Sequence, residues 1–145
     1  MDRAALDVAM QLGMPCGGWC PKGRLAEDGT IPDRYPLRET PSATHAQRTE
    51  WNVRDSDGTL VLTRGQPTEG TAFTIAVAKR LRKPCLVLDL ARTPEVSAVH
   101  SWTTQYGLQT LNVAGPRESK SPGIYQTASV VLSKLLEAGR RHQDR

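Results

Sequence analysis

No stretch of this sequence approaches the roughly 18 consecutive apolar residues that a membrane span requires. No charged-then-apolar leader opens it either, so the expectation is a cytoplasmic protein with no membrane partner. Cysteine is scarce. The three residues present are an odd number, which argues against a disulfide framework. Cys16 and Cys20 stand four apart, but no second pair of Cys or His follows at zinc spacing, and no metal site is expected. Aromatic residues are few, with a single Phe, and none is interleaved with the basic residues. That argues against a stacking platform for single-stranded nucleic acid. The sequence has no internal repeat and no low-complexity segment.

Charge of one sign is modestly in excess, at +4. Lys79, Arg80, Arg82 and Lys83 end one predicted helix, and Arg140, Arg141 and Arg145 lie at the tail. Cations at helix carboxyl ends favour the macrodipole, so the excess needs no nucleic-acid partner. At 145 residues the chain suits one domain with a substantial core, spanning residues 1–145.

The second half alternates regularly. Thr59-Leu60-Val61-Leu62 is a short apolar run suited to a buried parallel strand. After a Gly/Pro/Thr-rich loop, residues 70–81 show helical spacing, with Phe73, Val77 and Leu81 on one stripe. Lys83-Pro84 stops that helix. Cys85-Leu86-Val87-Leu88 is a second strand, closed by Asp89. Residues 94–105 read as a helix with Pro94 near its first turn, residues 108–113 as a third strand, and residues 122–138 as a helix facing Ile124, Ala128, Val131, Leu135 and Leu136 inward. Strands alternating with helices of this length imply parallel βαβ units. The fold class expected is α/β, a Rossmann-like three-layer sandwich with a mainly parallel sheet, whose ligand crevice lies at the carboxyl ends of the strands.

The first half is less regular. Residues 2–12 form a helix with Asp2 as its cap and Leu6, Ala9 and Met10 as its apolar stripe. Residues 13–34 hold five of the twelve glycines and few periodic apolar positions, which marks a long irregular stretch. Residues 35–37 suit a short strand and residues 43–55 a helix. The chain thus opens on a helix where a βαβ chain normally opens on a strand.

Two loops at predicted strand ends carry the chemistry. In Thr68-Glu69-Gly70-Thr71, Gly70 allows close backbone approach. The free N–H groups of the next helical turn and the Thr71 hydroxyl can then hold a phosphate; the plainer reading is a helix cap by Thr68 or Thr71. In Ala114-Gly115-Pro116-Arg117-Glu118-Ser119-Lys120-Ser121, Arg117 and Lys120 can neutralise phosphate and Ser119 and Ser121 can donate hydrogen bonds. The plainer reading there is a solvated loop with Ser121 as N-cap and Pro122 as first helical residue. A third loop, Gly17-Gly18-Trp19-Cys20-Pro21-Lys22-Gly23-Arg24, offers Trp19 and two cations, Lys22 and Arg24, as a lid or ring-stacking wall, or else a solvated loop with Trp19 packed on the core. Asp55, Asp57 and Asp89 fall near strand ends, where a carboxylate binds a ribose hydroxyl or caps a turn. Asp2 and Arg3 stand at the first helix's amino end as ligand contacts or as a cap with a surface cation.

Several of these segments resemble a known family. They are Asp2-Arg3-Ala4-Ala5-Leu6-Asp7, the Gly17 to Arg24 run, Ala26-Glu27-Asp28-Gly29, Tyr35-Pro36-Leu37, Glu39-Thr40, Arg48-Thr49-Glu50-Trp51-Asn52-Val53, Asp55-Ser56-Asp57, Gly70-Thr71 and Leu111-Asn112-Val113-Ala114-Gly115-Pro116-Arg117-Glu118-Ser119. Together they resemble the putative molybdenum carrier family, a circularly permuted branch of the YpsA/LOG-like Rossmannoid proteins. The resemblance implies a carrier or binding protein for a nucleotide or a molybdopterin-type cofactor. The expected ligand contacts are Asp2, Arg3, Trp19, Lys22, Asp57, Gly70, Thr71, Gly115, Arg117, Glu118 and Ser119, and a homo-oligomer is implied by resemblance alone. LOG-like relatives include phosphoribohydrolases, so a glycosidic hydrolase acting on a nucleoside monophosphate is the alternative, with Asp55, Asp57 or Glu118 as its carboxylate. Their signature places a Glu one helical turn after the Thr, however, and here Thr74 follows Thr71. Family members also begin with an apolar strand and a Ser-Gly-Gly-Gln-Thr-Gly-Val stretch before Asp-Arg, where this chain has Met1. The expectation is an amino-terminal truncation that exposes a sheet edge and weakens ligand affinity.

Overall fold

The computed structural model describes residues 1–92 and 96–143, with side chains described to residue 138. The predicted start of a helix at Pro94 and the basic tail at Arg140, Arg141 and Arg145 lie outside the residues and side chains described. The elements are α1 (Asp2–Gln11), β1 (Gly18–Cys20), β2 (Leu25–Ala26), β3 (Gly29–Thr30), β4 (Leu37–Glu39), α2 (His45–Arg54), β5 (Gly58–Thr63), α3 (Glu69–Arg80), β6 (Cys85–Asp89), α4 (Val96–Tyr106), β7 (Leu111–Ala114) and α5 (Ile124–Gln143).

The central sheet has the order β6-β5-β7 and is parallel throughout. Every residue of β5 is buried, which is why it reads as an unbroken apolar run. Alternation along β5 divides the core. Leu60 and Leu62 join Ala4 and Val8 of α1, Val99 of α4, and Ala128, Leu132 and Leu135 of α5. A second cluster forms from Val53 of α2 with Val77 and Ala78 of α3. The sheet is thus the middle of three layers, and each fully buried Leu or Val contributes roughly 1.5–3 kcal/mol of transfer free energy.

The irregular first half builds a separate small sheet. β1 and β4 pair in parallel, with Gly18 opposite Leu37 and Cys20 opposite Glu39, and β2 and β3 form a short antiparallel hairpin. Arg24 organises this region from a positive φ of 53°. Its guanidinium donates to the carbonyls of Ile31 (3.1 Å), Leu37 (3.0 Å), Pro32 (2.9 Å) and Tyr35 (3.0 Å), so it is a clamp and not part of a lid. A second tie is Asp7 on α1, which accepts the phenolic O–H groups of Tyr35 (2.7 Å) and Tyr125. The bond to that carboxylate pushes the Tyr125 pKa up to about 12.

Several expectations change in detail. Met1, not Asp2, is the N-cap of α1. Phe73 and Met10 are 40% and 39% exposed; the buried stripes use Thr71, Thr74, Val77 and Ala78 in α3 and Ala4, Leu6, Val8 and Ala9 in α1. The last helix starts at Ile124, because Glu118 caps it from outside by accepting the Gly123 N–H (2.5 Å) and the Tyr125 N–H (2.9 Å). Ser121 is therefore not the side chain that caps it, nor Pro122 its first residue.

Candidate functional site

The carboxyl end of β7 runs into Gly115, and the start of α1 is packed against it: a Cβ at position 115 would lie 2.6 Å from Met1 Cε. Asp2 therefore stands at the crevice mouth. Its carboxylate is held from the far side by α2, where Arg48 Nη1 donates to Asp2 Oδ2 at 2.6 Å. The same guanidinium uses Nη2 against Nδ1 of His45, the first residue of α2, at 3.3 Å. Burial, Arg48 and Arg117 all push the His45 pKa down, in that order of weight, while Asp2 opposes them. Arg117 thus belongs to the same electrostatic cluster, reached from the loop after β7.

Beneath this cluster lies a cavity of about 20 Å³ lined by Asp2, Arg48, Thr49, Asn52, Thr74, Asn112, Val113 and Ala114. That volume takes one water molecule or one anion oxygen. The Arg48 Nε–H is buried with no protein acceptor. A guanidinium hydrogen in that position calls for an acceptor, since leaving it unmet costs roughly 1–3 kcal/mol. The helix starts around the crevice are similarly open, because α1, α2 and α3 have no side-chain hydrogen bond capping their first turns. At α3 the hydroxyls of Thr68 and Thr71 bond to each other at 3.0 Å. Thr74 ties this turn to the cavity by donating to the Gly70 carbonyl at 3.1 Å.

The expected contacts separate into three groups. Asp2, Gly115 and Arg117 converge at the end of β7, with Gly70 and Thr71 one helical turn from the cavity through Thr74. Ser119 is exposed on the loop that carries Arg117, and Lys22 is exposed after β1. The remaining four are engaged elsewhere. Arg3 forms a two-pronged pair with Asp28, at 2.7 and 2.9 Å. Glu118 caps α5. Asp57 precedes β5, at the amino ends of the strands, where it accepts the N–H groups of Gln109 (3.0 Å) and Thr110 (2.9 Å).

Trp19 is no lid. Its Nε1–H donates to Asp55 at 2.8 Å, beyond the carboxyl end of α2, a ten-residue helix that sets Asp55 roughly 15 Å from His45 at 1.5 Å rise per residue. Trp19 meets Trp51 edge to face at 4.7 Å, with Arg38 over its ring at 4.3 Å. The Arg54 pair and this indole bond hold the Asp55 pKa down at about 2. Asp89 likewise serves the fold, accepting the N–H groups of Gly65 (3.0 Å) and Ala91 (2.9 Å).

Arg48 and Asn52 line the candidate cavity and His45 meets Arg48, and the candidate contacts omit all three. The signal for them is the spacing of His45, Arg48, Thr49 and Asn52 along α2, at i, i+3, i+4 and i+7, which puts them on one helical face. A polar face of that kind ordinarily points to solvent; here it meets the crevice and β1. Among the described residues no group of three His, Cys, Asp or Glu is placed to hold a metal ion, and no helix is long and apolar enough to cross a membrane. The cysteines are free, and burial pushes their thiols up.

Comparison with known proteins places this geometry in context. The sequence model of the circularly permutated YpsA SLOG family matches residues 1–136. A crystal structure described as a putative molybdenum carrier protein from Syntrophus aciditrophicus SB is 47% identical, with a TM-score of 0.89 over 93% of this chain and 87% of that one. No curated protein matches the chain.

Proposed function

The chain belongs to the circularly permutated YpsA SLOG family, and from that premise we propose that it is a carrier that holds a phosphate-bearing small molecule at the carboxyl ends of its strands. The observation that carries this reading is the pairing of Arg48 with Asp2 and His45, with a buried Arg48 N–H that has no protein acceptor and the charge of Arg117 on the neighbouring loop near enough to act on His45. Guanidinium groups recognise phosphate oxygens through charge-assisted hydrogen bonds, and the open helix starts add oriented N–H groups. The similar protein's description as a molybdenum carrier supports a molybdopterin-type cofactor as the ligand, with a nucleotide as the other phosphate-bearing class. The donor set fits the phosphate of either one. The cavity accepts one oxygen of the anchor, so the ring system lies outside it, above Arg117 and the start of α3.

A glycosidic hydrolase fits less well. Such chemistry needs a free carboxylate beside the sugar. Asp55 and Glu118 are committed to other bonds, Asp57 lies at the opposite end of the sheet, and Thr74 stands where a Glu would complete the signature. Asp2 is the carboxylate that lines the cavity, and it is paired with Arg48.

Two variants test the carrier reading against adenosine monophosphate as probe, by calorimetric titration. Arg117→Ala removes a charge-assisted contact, and binding weakens about tenfold or more, since such bonds contribute roughly 1.5–3 kcal/mol. Gly70→Ala adds a methyl group into open space in the protein, so any loss of binding there reports ligand approach to α3. Equal affinity in wild type and Arg117→Ala sinks the site assignment. Release of free adenine by the wild type above a protein-free blank sinks the carrier reading in favour of the hydrolase.

A further inference from the structure

The contact between Arg48 and His45 carries information about protonation. A guanidinium has donors only, so at 3.3 Å from Arg48 Nη2 the Nδ1 of His45 must be the acceptor. The imidazole in this arrangement is the neutral tautomer with its proton on Nε2. His45 is exposed to solvent at the start of α2, and the charges near it favour that state. Partial burial of the ring acts first in that direction, then the charge of Arg48 on its own helix and that of Arg117 on the loop after β7, while Asp2, on α1, pulls the other way. Asp2 is itself occupied by Arg48. The ring also stands at the amino end of α2, where the helix dipole disfavours an added positive charge.

An anion with two negative charges offsets the charge influences among these and leaves burial unchanged. It neutralises Arg117, shares the Arg48 guanidinium with Asp2, satisfies the start of α2, and draws the Arg48 Nη2 donor away from Nδ1. With the lone pair of Nδ1 freed and the repulsion cancelled, the ring accepts a proton and becomes a further donor to the anion. We propose that the cleft takes up one proton on His45 when it binds a tetrahedral dianion, so that anion and proton are bound and released together. This rests on the carrier reading above and deepens it. The site is a proton-linked anion clamp, and a rise in pH discharges it. By linkage, the proton tightens the anion as much as the anion tightens the proton. Affinity therefore falls by up to about tenfold per pH unit through the interval between the His45 pKa of the empty and filled sites.

Sulfate is the probe, because it stays a dianion across the range in which imidazole titrates, so the pH dependence belongs to the protein. Nuclear magnetic resonance titration of the full chain gives the His45 ring pKa with and without sulfate, and the sulfate Kd at about pH 5.5, 6.5 and 7.5. The expected result is a higher His45 pKa in sulfate and a Kd that weakens as pH rises. In His45→Gln, which keeps a neutral polar side chain, sulfate still binds with a Kd close to the wild-type value at high pH, and the pH dependence flattens. A wild-type Kd that does not vary with pH, or a dependence that survives in His45→Gln, overturns the proton linkage while leaving the anion site standing. No sulfate-dependent shift at His45 or Arg48 at any pH overturns the anion site and the linkage with it.

Discussion

Individual residues owe their identities to different neighbours than their motifs imply, and glycine gives the sharpest case. Gly115 stands in a loop whose sequence suggests phosphate binding, yet its immediate constraint is packing. A Cβ there would lie 2.4 Å from the Leu62 carbonyl and 2.6 Å from Met1 Cε. The Leu62 oxygen belongs to the buried central strand and has no freedom to retreat. Gly115→Ala is therefore expected to destabilise the protein by about 1–3 kcal/mol, as overpacking does, measured by urea unfolding. Gly70→Ala, with nothing within 4 Å of the new methyl, is expected to be neutral or stabilising by up to about 1 kcal/mol. Equal stability of Gly115→Ala and wild type would show that the β5–β7 contact is looser than described. The contrast also bears on reading sites from sequence. The fold demands glycine at 115, whereas at 70 no protein atom demands it, so the ligand reading of that loop rests on what approaches from outside. Asp57 shows the converse. It precedes β5, so chain direction alone puts it at the amino end of the strand, away from the crevice, where it ties the segment before β7 through the N–H groups of Gln109 and Thr110.

Whole elements were legible where they carry a period. The run from β5 to α5 reads directly because apolar strands and 3.6-residue stripes persist over many residues, and boundaries move by only a few. The first half is opaque for a physical reason. Strands of two or three residues, as in β1 to β4, are too short for alternation to register, and their stability comes from side-chain clamps such as Arg24. Helix α2 was located from its sequence, but its role was not, because Val53 is its one buried residue. Its inward face works through hydrogen bonds. Asn52 lies along the edge of β1, where its Oδ1 accepts the Trp19 N–H (2.8 Å) and its Nδ2 donates to the Trp19 carbonyl (3.2 Å). The amide thus substitutes for the neighbouring strand that would otherwise satisfy that edge. Asn52→Ala leaves two part-buried backbone groups unpaired and is expected to cost about 1–3 kcal/mol. Denaturant unfolding measures the cost, and faster amide exchange at Trp19 locates it. Unchanged exchange at Trp19 would mean that water replaces the amide at no cost.

At the scale of the molecule, the site straddles two structural bodies of unequal strength. The central sheet is held from both sides. Strand β5 is wholly buried, pairs with β6 and β7, and packs beneath helices on each face. The β1–β4 pair has three residues in each strand and leans on α2 through the Asn52 clip and the Trp19–Trp51 contact. Asp2 and Gly115 sit beside the central sheet, and His45 and Arg48 on α2, which packs Val53 on α3 and clips β1 through Asn52, so the Asp2–Arg48 ion pair ties α1 to the helix that joins the two sheets. Local opening free energy follows buried contacts and protected backbone bonds. Amide exchange is therefore expected to be slowest at Leu60 to Leu62, near the global unfolding limit, and clearly faster through β1, β4 and α2. A bound dianion, by joining Arg48 and Arg117 across the crevice, should slow exchange in α2 and β1 by a larger factor than in β5, because a ligand stabilises most what must stay closed to hold it. Equal opening free energies in both sheets would show instead that the molecule unfolds as one cooperative unit, and a ligand would then slow exchange in both sheets alike.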